Sequence, residues 1–215
     1  MTPMAGQPSS VPRGRHAPPL EVRVRRQRRR LLTAAAAVFA RTGYADATAE
    51  AIAREAGMSK ATFYEHFANK EEAIIALFEN VAGALERQLV ETVRNSPQDP
   101  VERARNGLRG FLTALAEYPA ESQTLLVEII GVGPKAAERR DAILERFAEV
   151  IDAENARAAE HAGVPRYQSP HDAYALVGAI VELASRQLRL GIPADPRDLE
   201  PVIERLILGL LSQSR

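Results

Sequence analysis

From about Val22 to the C-terminus, apolar residues recur at three- and four-residue steps, the spacing that gathers side chains on one face of a helix. Leu31, Leu32, Ala35, Val38 and Phe39 form the first stripe and predict a helix over about 23–42, stopped by Gly43. Thr48 caps a short second helix that turns Ile52, Ala53 and Ala56 inward and ends at Gly57. Ser59 caps a third through Phe67, and Asn69 caps a long fourth reaching about Arg94. Residues 95–100 (N-S-P-Q-D-P) read as a loop. Asp99, Pro100 and Glu102 then supply the cap, helix-starting proline and reciprocal glutamate of a helix ending near 118–119. A shorter helix over about 120–130 precedes the Gly131-Val132-Gly133 break. Pro134 opens a long helix to about His161, Ser169-Pro170-His171-Asp172 one ending at Gly191, and Asp198 the last, ending near Ser212. No stretch alternates with a period of two, so no sheet is expected. The predicted class is all-α, with about nine helices: three short ones, then six forming a larger bundle.

Composition narrows the function more than the fold. Of the 215 residues, 46% are apolar and 26% charged, as in an ordinary globular chain. Without cysteine, a disulfide scaffold, a thiolate metal site and a cysteine nucleophile are excluded. No apolar run reaches the ~18 residues of a membrane span, and the first 20 residues lack a signal-peptide core, so a cytoplasmic protein without a membrane partner is expected. The zero net charge hides an asymmetry. Residues 1–70 hold twelve Arg or Lys against five acids, and the rest 16 against 23. A basic end on an acidic body suggests that this end meets a polyanion. The Pro-, Ser-, Gly- and Arg-rich residues 1–21 read as a disordered basic arm, followed by units at 22–70 and 71–215. The run Arg23–Arg30 is either a phosphate-contacting arm or a solvated charged face.

Residues 48–67 (T-A-E-A-I-A-R-E-A-G-M-S-K-A-T-F-Y-E-H-F) have the parts of a helix-turn-helix. Ala53 is small where the second helix must approach, and Gly57 can take the positive φ of the turn. Ile52, Met58, Phe63 and Phe67 can form a small core beneath both helices. Lys60, Ala61, Thr62 and Tyr64 are left facing outward. Lysine can reach guanine or phosphate acceptors, and threonine and alanine can touch a thymine methyl. Tyr64, His66 and Lys70 are donors at the helix edge, where phosphates would lie. Thr48 and Ser59 stand at helix starts, whose free N–H groups favour anionic oxygen.

The run from Phe39 through Gly43-Tyr44, Thr48, Ile52-Ala53, Ala56-Gly57, Ser59, Thr62-Phe63-Tyr64, His66-Phe67 and Asn69-Lys70-Glu71 resembles the DNA-binding domain of TetR (tetracycline-repressor-like) transcriptional regulators over about 28–77. The resemblance implies nine or ten helices, a homodimer, repression by default and release by a small molecule in the C-terminal domain. It places Thr48, Ser59, Lys60, Ala61, Thr62, Tyr64, His66 and Lys70 where family members touch DNA. Glu50 departs from the pattern, since an acid near phosphates repels them unless it pairs with Arg54 four residues on. Glu65 is expected to face solvent.

The resemblance also implies a ligand cavity in residues 101–215. Candidate lining residues are Phe111, Leu115, Tyr118, Leu126, Ile129, Phe147, Ile151 and Tyr174. Glu128 and Glu182, set in apolar stripes, could bind a cationic inducer, pair with arginine or face water. The last two helices are expected to form a symmetric dimer through residues 170–212. Two recognition helices would then enter successive major grooves of a palindromic operator, ~34–36 Å apart, with the long fourth helix as the lever. The competing reading is a ligand-independent architectural DNA-binding or interaction protein. No His/carboxylate cluster indicates a metal, no Gly-rich phosphate loop or Ser/His/Asp arrangement indicates catalysis, and neither a cofactor nor an enzyme is expected.

Overall fold

The computed structural model describes residues 19–96 and 99–212, with nine α-helices and no strand among them. The expected arm lies outside the described residues except for its last three positions. Helix α1 spans Leu20–Asp46, α2 Ala49–Glu55, α3 Lys60–His66, α4 Lys70–Asn95, α5 Pro100–Glu117, α6 Pro119–Leu126, α7 Pro134–Ala162, α8 Pro170–Leu190 and α9 Glu200–Ser212. The helix ends follow the capping chemistry: Thr48, Ser59 and Asn69 each accept a backbone N–H from the first turn of the helix they precede. Ser169 and Asp172 form a reciprocal box, and Gly191 closes α8 in a left-handed conformation.

Four local expectations are corrected. Helix α1 starts at Leu20, three residues before the expected start, and the expected stop at Gly43 (φ 74, ψ 163) is a non-helical kink after which a short turn runs on to Asp46. The expected 120–130 helix is two pieces, α6 and a 3-10 turn at Glu128–Gly131. The last helix starts at Glu200, because Asp195 caps a separate 3-10 turn, Pro196–Leu199, ahead of it. Asp99 caps α5 by accepting from Val101 and Glu102 N–H, while the Glu102 carboxylate takes Arg105 at 2.5 Å rather than reaching back.

One core runs through both units. Leu31, Val38 and Phe39 of α1, Ile52 of α2, Phe63 of α3 and Ile74 of α4 are fully buried and continuous with Leu112, Ile129 and Ile203. A satellite cluster of Leu144, Ala148, Tyr167, Ala173 and Val177 joins α7 to α8. The short α2–α3 pair could not bury enough surface alone. It is completed by α1 and the start of α4, which fixes the attitude of α3 on the molecule.

Candidate nucleic-acid interface and ligand cavity

Gly57 (φ 65) makes the turn between α2 and α3, where a side chain would be strained. Phe63 and Phe67 fill the space beneath, their rings 5.5 Å apart, with Met58 half-buried against them. These buried aromatics leave the opposite face of α3 to solvent. Lys60, Ala61 and Tyr64 are exposed, and Tyr64 keeps 50% of its surface while its ring stands edge-on to Phe63 at 5.5 Å. Thr48 and Ser59 are exposed at the helix starts, each tied to its cap. Thr62 is half-buried, its hydroxyl 2.9 Å from that of Ser59. Six of the eight expected DNA contacts thus lie together along the α2–α3 surface.

The other two are placed differently. Lys70 points back beneath the motif: its ammonium donates to the carbonyls of Tyr44, Ala45 and Ala47 at 2.8, 2.8 and 3.0 Å and lies over the Tyr44 ring. An ammonium has three hydrogens, so this one is fully engaged in holding the end of α1, and the expected phosphate contact would require it to leave these carbonyls. His66 is half-buried; its Nε2 is closed to solvent and has no hydrogen-bond partner among the described residues.

The charge around the motif is also arranged by contact. Arg28 donates to the His66 carbonyl at 3.1 Å and lies over the Phe67 ring; Arg30 donates to the Ala56 carbonyl at 2.7 Å. These two arginines therefore staple α1 to the ends of α2 and α3, while Arg23, Arg25, Arg26 and Arg29 remain exposed. Glu50 approaches Lys60 at 4.0 Å rather than Arg54. Arg41 takes Glu55 at 3.0 Å, and Glu65 faces solvent as expected.

The second unit encloses a cavity of about 780 Å³ between α4, α5, α7, α8 and α9, within the size range of small-molecule sites. Of the eight expected lining residues, Phe111, Leu126, Phe147 and Ile151 are in its wall. The other four lie outside that wall. Leu115 and Ile129 are buried away from it in the main core, and Tyr118 (55% exposed) and Tyr174 (39%) point outward. Leu85 and Leu89 of α4 and Val177, Ile180 and Val181 of α8 are also part of the wall. Their apolar spacing is the same whether they meet a neighbour or a void, so sequence gave no separate signal for them. At the polar end Arg103 reaches Glu154 at 3.1 Å, and Arg157 pairs with the same carboxylate.

Neither acid in the apolar stripes faces this cavity. Glu182 takes Arg189 at 2.9 Å on the surface. Glu128 accepts the Tyr44 backbone N–H at 2.7 Å and the Gln123 side-chain amide at 3.1 Å, joining the two units across 84 positions of sequence. Burial, and then Glu71, raise the Tyr44 hydroxyl above its ordinary pKa. Among the described residues no His, Asp or Glu group converges as a metal site, and no helix is long and apolar enough to cross a membrane.

Comparison with known proteins places these features. Residues 31–77 match the family model described as "Bacterial regulatory proteins, tetR family". The HTH-type transcriptional repressor SCO4008 of Streptomyces coelicolor is 31% identical over 131 residues, 57% of this chain and 62% of the relative. The chain spans about three-fifths of the length of the curated relatives it matches. The fatty acid degradation regulator FadR of Bacillus halodurans superposes with a TM-score of 0.79 at 19% identity, over 94% of this chain and 100% of its own. FadR of Bacillus subtilis, solved with stearoyl-CoA, superposes with 0.75 at 19% identity, over 86% and 97%. At such identities these two likenesses establish the fold.

Proposed function

We propose that this chain, whose residues 31–77 match the tetR family of bacterial regulatory proteins, is a sequence-specific, cytoplasmic transcriptional repressor of that family, released from a palindromic operator by a small molecule. The observation that carries the reading is the outer face of α3. It presents Lys60, Ala61 and Tyr64 to solvent on a fully buried Phe63–Phe67 base, a rigid platform of the kind that reads base edges in a major groove. Thr48, Ser59 and Thr62 flank these groups at the two helix starts.

A dimer supplies the second recognition helix. Tyr174 on α8 and Val202, Leu206 and Leu208 on α9 are apolar yet exposed in the single chain, which supports pairing through residues 170–212 and the ~34–36 Å spacing of successive major grooves. The cavity supports a ligand with an apolar body. A solved neighbour of the same fold carries stearoyl-CoA, so long-chain acyl compounds are the first candidates. Such a ligand acts only by binding better to the conformation that misfits the operator.

Footprinting on genomic fragments with wild type and Tyr64→Ala tests the proposal. Protection of one or a few palindromes is expected, with affinity reduced about tenfold or more in the variant and falling steeply with salt through counterion release. Unspecific coating of DNA would favour the architectural reading, and equal affinity of the variant would remove α3 from the interface.

A further inference from the structure

Helices α4 and α7 lie side by side and are tied by ion pairs at a seven-residue repeat. Glu79 meets Arg139 at 3.5 Å and Glu86 meets Arg146 at 3.0 Å. The next step along the repeat brings Val93 on α4 and Ala153 on α7, so the series stops. Here α4 instead presents Arg87 and Arg94, both exposed and about two turns apart on one helix face. Among the described residues neither has a carboxylate within ion-pair distance. Together with Arg146 they line a surface cleft of about 670 Å³.

That cleft is not isolated. Val90 and Arg94 belong both to its wall and to the wall of the apolar cavity, so the two spaces adjoin there. Elsewhere around the cavity the arginines are engaged: Arg103 and Arg157 with Glu154, Arg105 with Glu102 and Glu204. Free guanidinium charge is therefore found at the α4–α7 end. The cleft also holds Glu86 and Glu91, three guanidiniums against two carboxylates, and Glu86 is already held by Arg146. Guanidinium forks match the oxygen geometry of phosphate and keep their charge at any physiological pH.

We propose that the cleft at Arg87, Arg94 and Arg146 is an anion subsite for the phosphate-bearing head of a ligand whose apolar tail occupies the adjoining cavity. The inference rests on the cavity reading of the proposed function and adds to it a second, charged half. It also supplies a differential contact. A phosphate drawn to Arg146 competes with Glu86, so the bound head replaces the direct α4–α7 ion pair with a bridge through the ligand. Because α4 begins directly after α3 and its turn, a changed tie between α4 and α7 acts on the element that carries the recognition helix.

Titration calorimetry on the full-length protein with stearoyl-CoA, stearate and CoA, each below its micelle-forming concentration, tests this. Wild type is expected to bind stearoyl-CoA about tenfold or more tightly than stearate. Arg87→Ala/Arg94→Ala is expected to abolish that advantage by weakening stearoyl-CoA far more than stearate, whose single carboxylate has less charge to lose at the cleft, and a wild-type circular dichroism spectrum and melting midpoint show that the variant is folded. Glu86→Gln, which frees Arg146 and removes a negative charge, is expected to tighten stearoyl-CoA and not stearate. Equal affinity of wild type for stearoyl-CoA and stearate, or full retention of the stearoyl-CoA advantage in the double variant, overturns the subsite while the cavity reading stands. CoA alone binding as tightly as stearoyl-CoA overturns the shared ligand. Failure of wild type to bind either stearate or stearoyl-CoA removes the acyl-ligand reading of the cavity and the subsite together.

Discussion

Glu128→Ala separates a carboxylate that merely tolerates its position from one that ties the two units together. In the wild type its Oε2 accepts the Tyr44 N–H at 2.7 Å, and its Oε1 accepts from Gln123 at 3.1 Å. Gly43 turns the chain out of the α1 helix just before Tyr44, which leaves that N–H to the carboxylate. Hydrogen bonds to a charged group contribute ~1.5–3 kcal/mol, and a buried donor stripped of its partner loses a similar amount. Both Tyr44 and Glu128 are half-buried, so water can reach the vacated donor and the lower end applies, about 1.5–2 kcal/mol. For a chain of this size that is roughly 3–8 °C in midpoint. Glu128→Gln keeps a carbonyl acceptor and loses the charge, so it should fall about halfway.

Hydrogen exchange locates the effect where melting cannot. Opening of the Tyr44 amide should become ~10–30-fold more frequent in Glu128→Ala, the same free energy read locally. Amides of Leu112 and Ile203, deep in the other part of the core, should change only through the global term. Operator binding should weaken as the α1–α3 unit loses its fixed attitude. An unchanged Tyr44 exchange rate with an unchanged melting point would refute the reasoning, because the 2.7 Å contact would then contribute nothing.

Three further outcomes are expected. Phe63→Ala removes a fully buried ring from beneath α3 and should cost ~3–5 kcal/mol, read as an earlier urea midpoint with loss of operator binding. Lys70→Met keeps the stem but leaves three carbonyls without their donor, costing about 1–3 kcal/mol; wild-type stability in this variant would reject the clamp. The Tyr167 hydroxyl is raised by burial and then by Asp152 and Asp172. A raised folded value means that its stabilisation is complete below the unfolded tyrosine pKa of ~10 and is lost as pH climbs through the folded value. Melts between neutral and strongly alkaline pH should therefore show a smaller alkaline loss in Tyr167→Phe, and equal losses would dismiss the assignment.

What could be read in advance was the chemistry that acts within a few residues. Caps such as Thr48, Ser59, Asn69 and Ser169 act on the next turn of chain, and the Phe63–Phe67 spacing fixes which side of α3 is left outside. Long-range partners were not legible. Lys70 and Arg28 carry the charge of DNA-binding groups, and only the fold reveals that Tyr44 and His66 carbonyls lie within their reach. Tyr118 and Tyr174 illustrate the same limit for the cavity: a large aromatic in an apolar stripe suits a ligand wall, a core or an exposed helix face equally well, and tertiary packing decides. Glu128 shows the same limit: an acid amid apolar neighbours suits a cationic inducer, an arginine or water, and its partners are instead the Tyr44 backbone N–H, 84 positions away, and the Gln123 amide.

The partners that sequence could not name converge on one segment. Leu125 and Leu126, at the end of α6, are in the cavity wall. The Leu126 carbonyl accepts from Ser185, a buried hydroxyl on α8. Two residues later Glu128 holds Tyr44, and Lys70 holds the carbonyls on the other side of the same turn. A displacement of Leu125 and Leu126 by anything that enters the cavity therefore meets two hydrogen-bonded attachments within three residues, one to a helix of the proposed dimer and one to the DNA-binding unit. Val127 between them is neither helical nor extended (φ −120, ψ −61), so α6 and the 3-10 turn are separate pieces, and a rotation of one need not carry the other. Coupling in such an arrangement depends on whether the Glu128 bond survives the movement. A ligand that shifts α6 and leaves the Tyr44 amide protected would loosen the pairing helices without turning α3, whereas one that exposes that amide would release the recognition unit itself.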